Sequence, residues 1–275
     1  MLIGIIGIIV TAFFAWYFWK KRPPHAKEQE KEIAEIKVGI NRIIEEVKDI
    51  KNYLDGWQKL PLTDEKRITF DKGLKAMKEC NWNSAIDTFR GLLSDAKDNK
   101  KVALLNLIGN CFFHQGNLDQ ALGHYKESLD LAREINDKEG ESANLGNIGV
   151  IYWKRGELDK ALEYFEEGLK IDREMNRKEG IAATLGNIGL IYQTRGELDK
   201  ALKYHEEALR VSKEIGYKEG EAANLGNIGL IYAKKGEKEK ALFYFNRALE
   251  IFKQIGAQRE IVITENNIRK LQKEK

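Results

Sequence analysis

From residue 103 onward the chain repeats itself every 40 residues, and the copies align without a gap. The string LGNIG returns at Leu145 to Gly149, Leu185 to Gly189 and Leu225 to Gly229, and KEG returns at Lys138 to Gly140, Lys178 to Gly180 and Lys218 to Gly220. A period of this size stacks identical units into a solenoid, because one unit alone cannot bury its apolar face. Each unit holds two patterns of apolar residues at helical spacing with a glycine between them, Gly116, Gly156, Gly196 or Gly236. The unit is therefore a helical hairpin. No proline follows Pro61, so the strongest helix breaker is missing from the whole array.

Within one unit the order Leu145, Ile148, Gly149, Tyr152, Ala161, Phe165 sets the small residues Gly149 and Ala161 where two helices must approach closely. Leu145, Ile148, Tyr152, Leu162 and Phe165 fill the wedge between them. Gly109 and Ala121, Gly189 and Ala201, and Gly229 and Ala241 hold the same places, and a more worn copy opens the array with Gly73, Ala85 and Phe89. This spacing resembles the tetratricopeptide repeat. The 40-residue unit is similar to the repeats of the Pins/LGN spindle-orientation adaptors and, less closely, of kinesin light chains. The resemblance implies an all-α, right-handed solenoid of five hairpins, near residues 66–98, 103–136, 138–176, 178–216 and 218–256.

The usual proline at the end of each second helix is missing. Asn136, Asn176, Gly216 and Gly256 stand there instead, residue types that tolerate the left-handed conformation of a helix C-terminus. In residues 258–275 an echo of the repeat survives, but Glu265 replaces leucine and Arg269 replaces glycine. A charge at a packing position refuses another hairpin, so this segment is expected to cap the array.

Residues 1–19, MLIGIIGIIVTAFFAWYFW, carry no charged side chain and span about 28 Å as a helix, roughly one hydrocarbon core. A cleaved signal peptide would want basic residues before the apolar run and a small-x-small site after it. Neither is present. Trp16, Tyr17 and Trp19 suit a membrane interface, and Lys20, Lys21 and Arg22 follow in residues 20–26, so the expected topology is a single span with the N-terminus outside and the repeats cytoplasmic. After Pro23 and Pro24, Ile33, Ile36, Ile40, Ile43, Val47, Ile50, Leu54 and Trp57 alternate three and four residues apart over residues 27–58. That is a heptad seam for a homo-oligomer. An amphipathic helix docked on the repeats or on the membrane has the same pattern. Residues 59–65 form a linker to the array at 66–257.

With 46 basic against 43 acidic residues, the formal charge of +3 lacks the concentrated positive field of a nucleic-acid binder. Cys80 and Cys111 have neither metal-ligand spacing nor disulfide density. The four histidines are scattered; His205 stands where other units have Phe or Tyr and reads as a partly buried packing residue. The carboxylates of ELDKALEYFEEGLK alternate with lysines and read as a solvated face. No nucleophile elbow, phosphate loop or kinase signature occurs, so no catalytic residue, metal or cofactor is expected.

A binding surface is what remains. At 100° per residue, Asn147, Val150 and Lys154 point away from the packed side of Leu145, Gly149 and Tyr152. That side lines the concave groove in tetratricopeptide arrays, and the resemblance to the Pins-like and kinesin-light-chain-like families, where such asparagines grip partner peptides, implies the same role here. Asn147, Asn187 and Asn227 then form a ladder of amides, with Lys154, Thr194 and Lys234 a step further and Trp153 and Gln193 beside them. An amide donates and accepts at once, which suits an extended peptide backbone. Duplication of a unit would copy an asparagine whether or not it touches a partner, and the first regular unit has Leu107 instead. The expected function is a membrane-anchored adaptor for a protein or peptide partner; the alternatives are a self-assembling membrane scaffold and a regulatory subunit of a separate enzyme.

Overall fold

A computed structural model describes residues 64–273, and these fold into eleven helices and no strand. The first hairpin is α1 (Asp64–Lys78) with α2 (Trp82–Leu93), and the second is α3 (Asp98–His114) with α4 (Leu118–Glu134). Then come α5 (Lys138–Lys154) with α6 (Leu158–Glu174), α7 (Lys178–Thr194) with α8 (Leu198–Glu214), and α9 (Lys218–Lys234) with α10 (Lys238–Ile255). A single last helix, α11 (Gln258–Lys273), packs on α10. The expected membrane span at 1–19 and the heptad helix at 27–58 lie outside the described residues. Among the described residues, no helix is long and apolar enough to cross a membrane.

The hairpin geometry follows from small residues facing large ones. A Cβ added to Gly149 would lie 2.7 Å from the Phe165 ring, so only glycine lets α5 come down onto α6. The same approach recurs at Gly189 on His205 and at Gly229 on Phe245. Phe165 and Phe245 are almost fully buried, each worth about 2–3 kcal/mol relative to exposure. In the third, fourth and fifth hairpins, Tyr152 stacks on Tyr164, Tyr192 on Tyr204 and Tyr232 on Tyr244, with ring centroids 5.3, 5.3 and 5.4 Å apart. Lys160, Lys200 and Lys240 sit over the first ring of each pair.

Left-handed residues mark both kinds of turn. Gly156 (φ 77°) turns between the helices of a hairpin, and Asn136 (φ 58°) and Asn176 (φ 53°) turn between hairpins, with Gly216 and Gly256 at the later equivalents. Asn81, Asn117 and Asp137 cap the helices that follow them by accepting from Ser84, Gln120 and Gly140 backbone N–H groups.

Successive first helices touch one another, α3 with α5, α5 with α7 and α7 with α9, whereas contacts of that extent do not join successive second helices. The array therefore curves with its first helices on the inner side. Buried apolar residues form one large cluster from Phe70 to Val211, a second that runs from Leu209 of α8 through Leu225 to Phe252, and a third around Phe245 and Leu271.

Candidate functional site

Asn147, Asn187 and Asn227 occupy equivalent places in the inner helices α5, α7 and α9. Each is half-buried rather than openly exposed as the spacing implied, and none hydrogen-bonds through its side chain to another described residue. Their amides are thus open to a partner. One residue earlier stand Gly146, Gly186 and Gly226. A Cβ there would meet nothing within 4 Å at Gly146 and Gly226, and only Asn224 Oδ1, 3.6 Å away, at Gly186. Hairpin packing does not require these three glycines, although a mid-helix glycine costs about 1 kcal/mol against alanine.

The flanking residues expected around the ladder diverge. Lys234 and Lys154 are exposed, and Lys154 Nζ lies 5.2 Å from the centroid of the Phe113 ring in the preceding hairpin. Trp153 is half-buried. Gln193 does not join the open surface: it is 9% exposed, and its Oε1 is buried without a partner. Thr194 turns its hydroxyl back to donate to the Leu190 carbonyl at 2.8 Å.

A second set of asparagines, three residues before the ladder, does different work. Asn144 is fully buried; its Nδ2 donates to Ser128 Oγ and the Gly140 carbonyl, and its Oδ1 accepts from Asn106 Nδ2 at 2.8 Å. Ser128 Oγ in turn donates to the Val102 carbonyl. This relay bonds α3, α4 and α5 through groups taken out of water. Its polar spacing is visible in the sequence, but nothing there distinguishes an inward asparagine from an outward one until the inter-hairpin face is known.

His205 is fully buried, not partly so, because it takes the place that Phe165 and Phe245 fill. Its Nδ1 lies 3.0 Å from Asn224 Oδ1, while Asn224 Nδ2 donates to the Gly220 carbonyl. With the amide oriented by Gly220, Oδ1 can only accept, so Nδ1 carries the proton and Nε2 is a bare lone pair with no partner. Burial holds the imidazole below its ordinary pKa, and the Asn224 bond opposes that shift.

The outer carboxylates do more than solvate. Asp119 pairs with Arg155, Asp159 with Arg195 and Asp199 with Lys235, each tying one hairpin to the next. Arg133 bridges Glu141 and Glu167, and Arg173 pairs with Glu207. Such pairs are individually weak, but here they repeat in register. No group of three or more potential metal ligands exists among the described residues. Cys111 is buried, which pushes its thiol up to about 12 and leaves it unreactive.

No curated protein matches the sequence. Among solved structures, the apo form of RapI superposes with a TM-score of 0.63 at 22% identity, covering 70% of this chain and 72% of that one. A signal-transduction ATPase with a tetratricopeptide repeat sensor, PH0952 from Pyrococcus horikoshii, gives 0.66 at 20% identity, but the match spans 73% of this chain and only 31% of that protein. A putative kinesin light chain from Podosopora anserina with nearly identical repeats gives 0.56 at 13% identity over 70% and 96% of the two chains. At these identities the likeness is one of fold. The tetratricopeptide repeat family model matches residues 101–174 and 180–254, more than half of the sequence, and the chain belongs to that family, a fold that serves protein–protein interaction.

Proposed function

We propose that this protein is an adaptor that holds an extended segment of a protein partner along its inner face, at the cytoplasmic side of a membrane in which residues 1–19 anchor it. The observation that carries the reading is the set of three unpartnered, half-buried amides, Asn147, Asn187 and Asn227, recurring on adjacent inner helices. Each sits beside a glycine that the hairpins do not need, which leaves room for a second backbone to come close. Lys154 and Lys234 keep their charge in reach and favour an acidic-leaning segment. Gln193, being buried, is left out of direct contact.

The test is to recover a client by pulldown, map its shortest binding segment, and compare wild type with the triple change Asn147→Ala, Asn187→Ala, Asn227→Ala. Each lost amide should weaken binding by about 0.5–1.5 kcal/mol, together one to three powers of ten in Kd. Folding should hold, since alanine is the better helix former. Unchanged affinity in the folded variant would make the ladder a relic of duplication. For the topology, protease outside intact cells should leave residues 66–275 whole, and digestion of that part would refute the orientation.

A further inference from the structure

The fourth hairpin departs from its neighbours in its buried polar groups, of which Ser212 Oγ faces Gly220 of the fifth hairpin and His205 Nε2 faces Gly189 of its own α7. Of the four buried side-chain polar atoms without a partner among the described residues, three belong to the fourth hairpin: Gln193 Oε1, His205 Nε2 and Ser212 Oγ. The large apolar cluster reaches Val211, and a smaller one, which joins Leu209 of α8 with Ala222, Leu225 and Ile228 of α9, takes over across the junction. The ion pairs thin out there too. Where Arg133 meets Glu167 and Arg173 meets Glu207, the next positions hold Lys213 and Arg247, two cations, and Arg247 lies over the Phe243 ring instead. Within the hairpins there is a parallel loss that does not bear on the junction: Lys178 of α7 pairs with Glu214 of α8, whereas in the fifth hairpin Gln254 replaces the carboxylate and Lys218 turns within its own helix to Glu221. The Lys235–Asp199 pair survives at 2.7 Å.

We propose that the array is jointed between its fourth and fifth hairpins: α9 to α11 open together as one unit while α1 to α8 stay folded, with His205 as the latch. In a solenoid each unit is held only by its neighbours, so the least satisfied interface is where the chain parts first. Protonation of His205 would add an N–H at Nε2, facing Gly189 of α7, where no acceptor stands. From α9 the ring meets Asn224; the buried carboxylate of that helix, Glu221, is engaged by Lys218, and Tyr192 of α7 and Tyr204 of α8 stack on each other. No charged group near the ring offsets the added charge. The sign follows. A histidine held neutral in the fold contributes stability above its unfolded pKa of about 6.5, and that contribution is lost as the pH falls through this value toward the lower folded one. On the groove reading above, Asn187 and Asn227 lie on opposite sides of the joint, so a segment spanning both would hold it closed; the joint itself does not depend on that reading.

The repeat supplies its own repair. Phe165 stands with Thr184, and Phe245 with Thr264, at the places of His205 and Asn224. The experiment is hydrogen exchange by mass spectrometry on the full-length chain without a client, at about pH 7.5 and about 5.5, for wild type and His205→Phe, Asn224→Thr. In the wild type, peptides from 218–273 should share one protection level, roughly tenfold or more below α3 to α7, and the step should widen in acid after correction for intrinsic rates. The double variant should shrink the step and abolish the widening. His205→Gln, which keeps a polar group but does not titrate, should keep the step and lose only the widening. Protection that declines smoothly from α8 to α11 would mean fraying from the free end and would overturn the joint. A step that the double variant leaves unchanged, or an acid response that survives in both variants, would remove His205 from it. His124, also lowered by burial and still present in both variants, is the control for a response arising elsewhere.

Discussion

The junction between α4 and α5 and the junction between α8 and α9 occupy equivalent places, two repeats apart, yet they are finished differently. At the first, Asn144 satisfies three partners, Ser128 is bonded at both ends, and Arg133 grips Glu141 and Glu167. At the second, Asn224 has two partners, Ser212 Oγ and His205 Nε2 have none, and Lys213 and Arg247 hold the positions of Arg133 and Glu167. Duplication supplies the backbone geometry of an interface but not its strength. That depends on whether every group taken from water finds a partner, since an orphan costs about 1–3 kcal/mol while a made bond gains about 1.

The comparison can be broken most forcefully through the rings. Phe165→Ala should destabilise the array by about 3–5 kcal/mol and His205→Ala by clearly less, because the imidazole already bears an unpaired nitrogen. Equal losses in urea titrations followed by circular dichroism would show that the two hairpins are equally well packed. Next come the amides. Asn144→Ala strands Asn106 and Ser128 in the core and should cost about 2–3 kcal/mol, whereas Asn224→Ala should cost about 1, read from the same titrations. A smaller effect sharpens the picture without touching either junction: Gly146→Ala places its Cβ in open space and should stabilise by about 0.5–1 kcal/mol, while lowering client affinity if a second backbone lies there. Smallest of all, Arg247→Glu restores the opposite-charge register with Lys213 and should add at most about 0.2–1 kcal/mol, vanishing in high salt. A gain that persists in high salt would point to loss of the Arg247–Phe243 contact as its source.

Much of the array was legible because its signals are local and repeated. A glycine opposite a ring, as at Gly149 and Phe165, and an asparagine with positive φ, as at Asn136, follow from spacing and residue type alone. The inter-hairpin face was not legible. Gln193 sits where Trp153 and Ala233 sit in other units, and periodicity cannot tell that its carbonyl oxygen ends up enclosed. The same holds for Asp159, whose partner Arg195 lies a whole hairpin away and emerges only when the units are stacked.

The positions of the tryptophans have an optical consequence. All five precede residue 154, and the two in the described array, Trp82 stacked on His114 and half-buried Trp153 in α5, both lie on the N-terminal side of the joint. Indole fluorescence is therefore blind to α9, α10 and α11. If those helices open by themselves, helical signal at 222 nm should fall before tryptophan emission moves, and the usual two-probe check for two-state unfolding would fail for a reason written into where the chromophores happen to be.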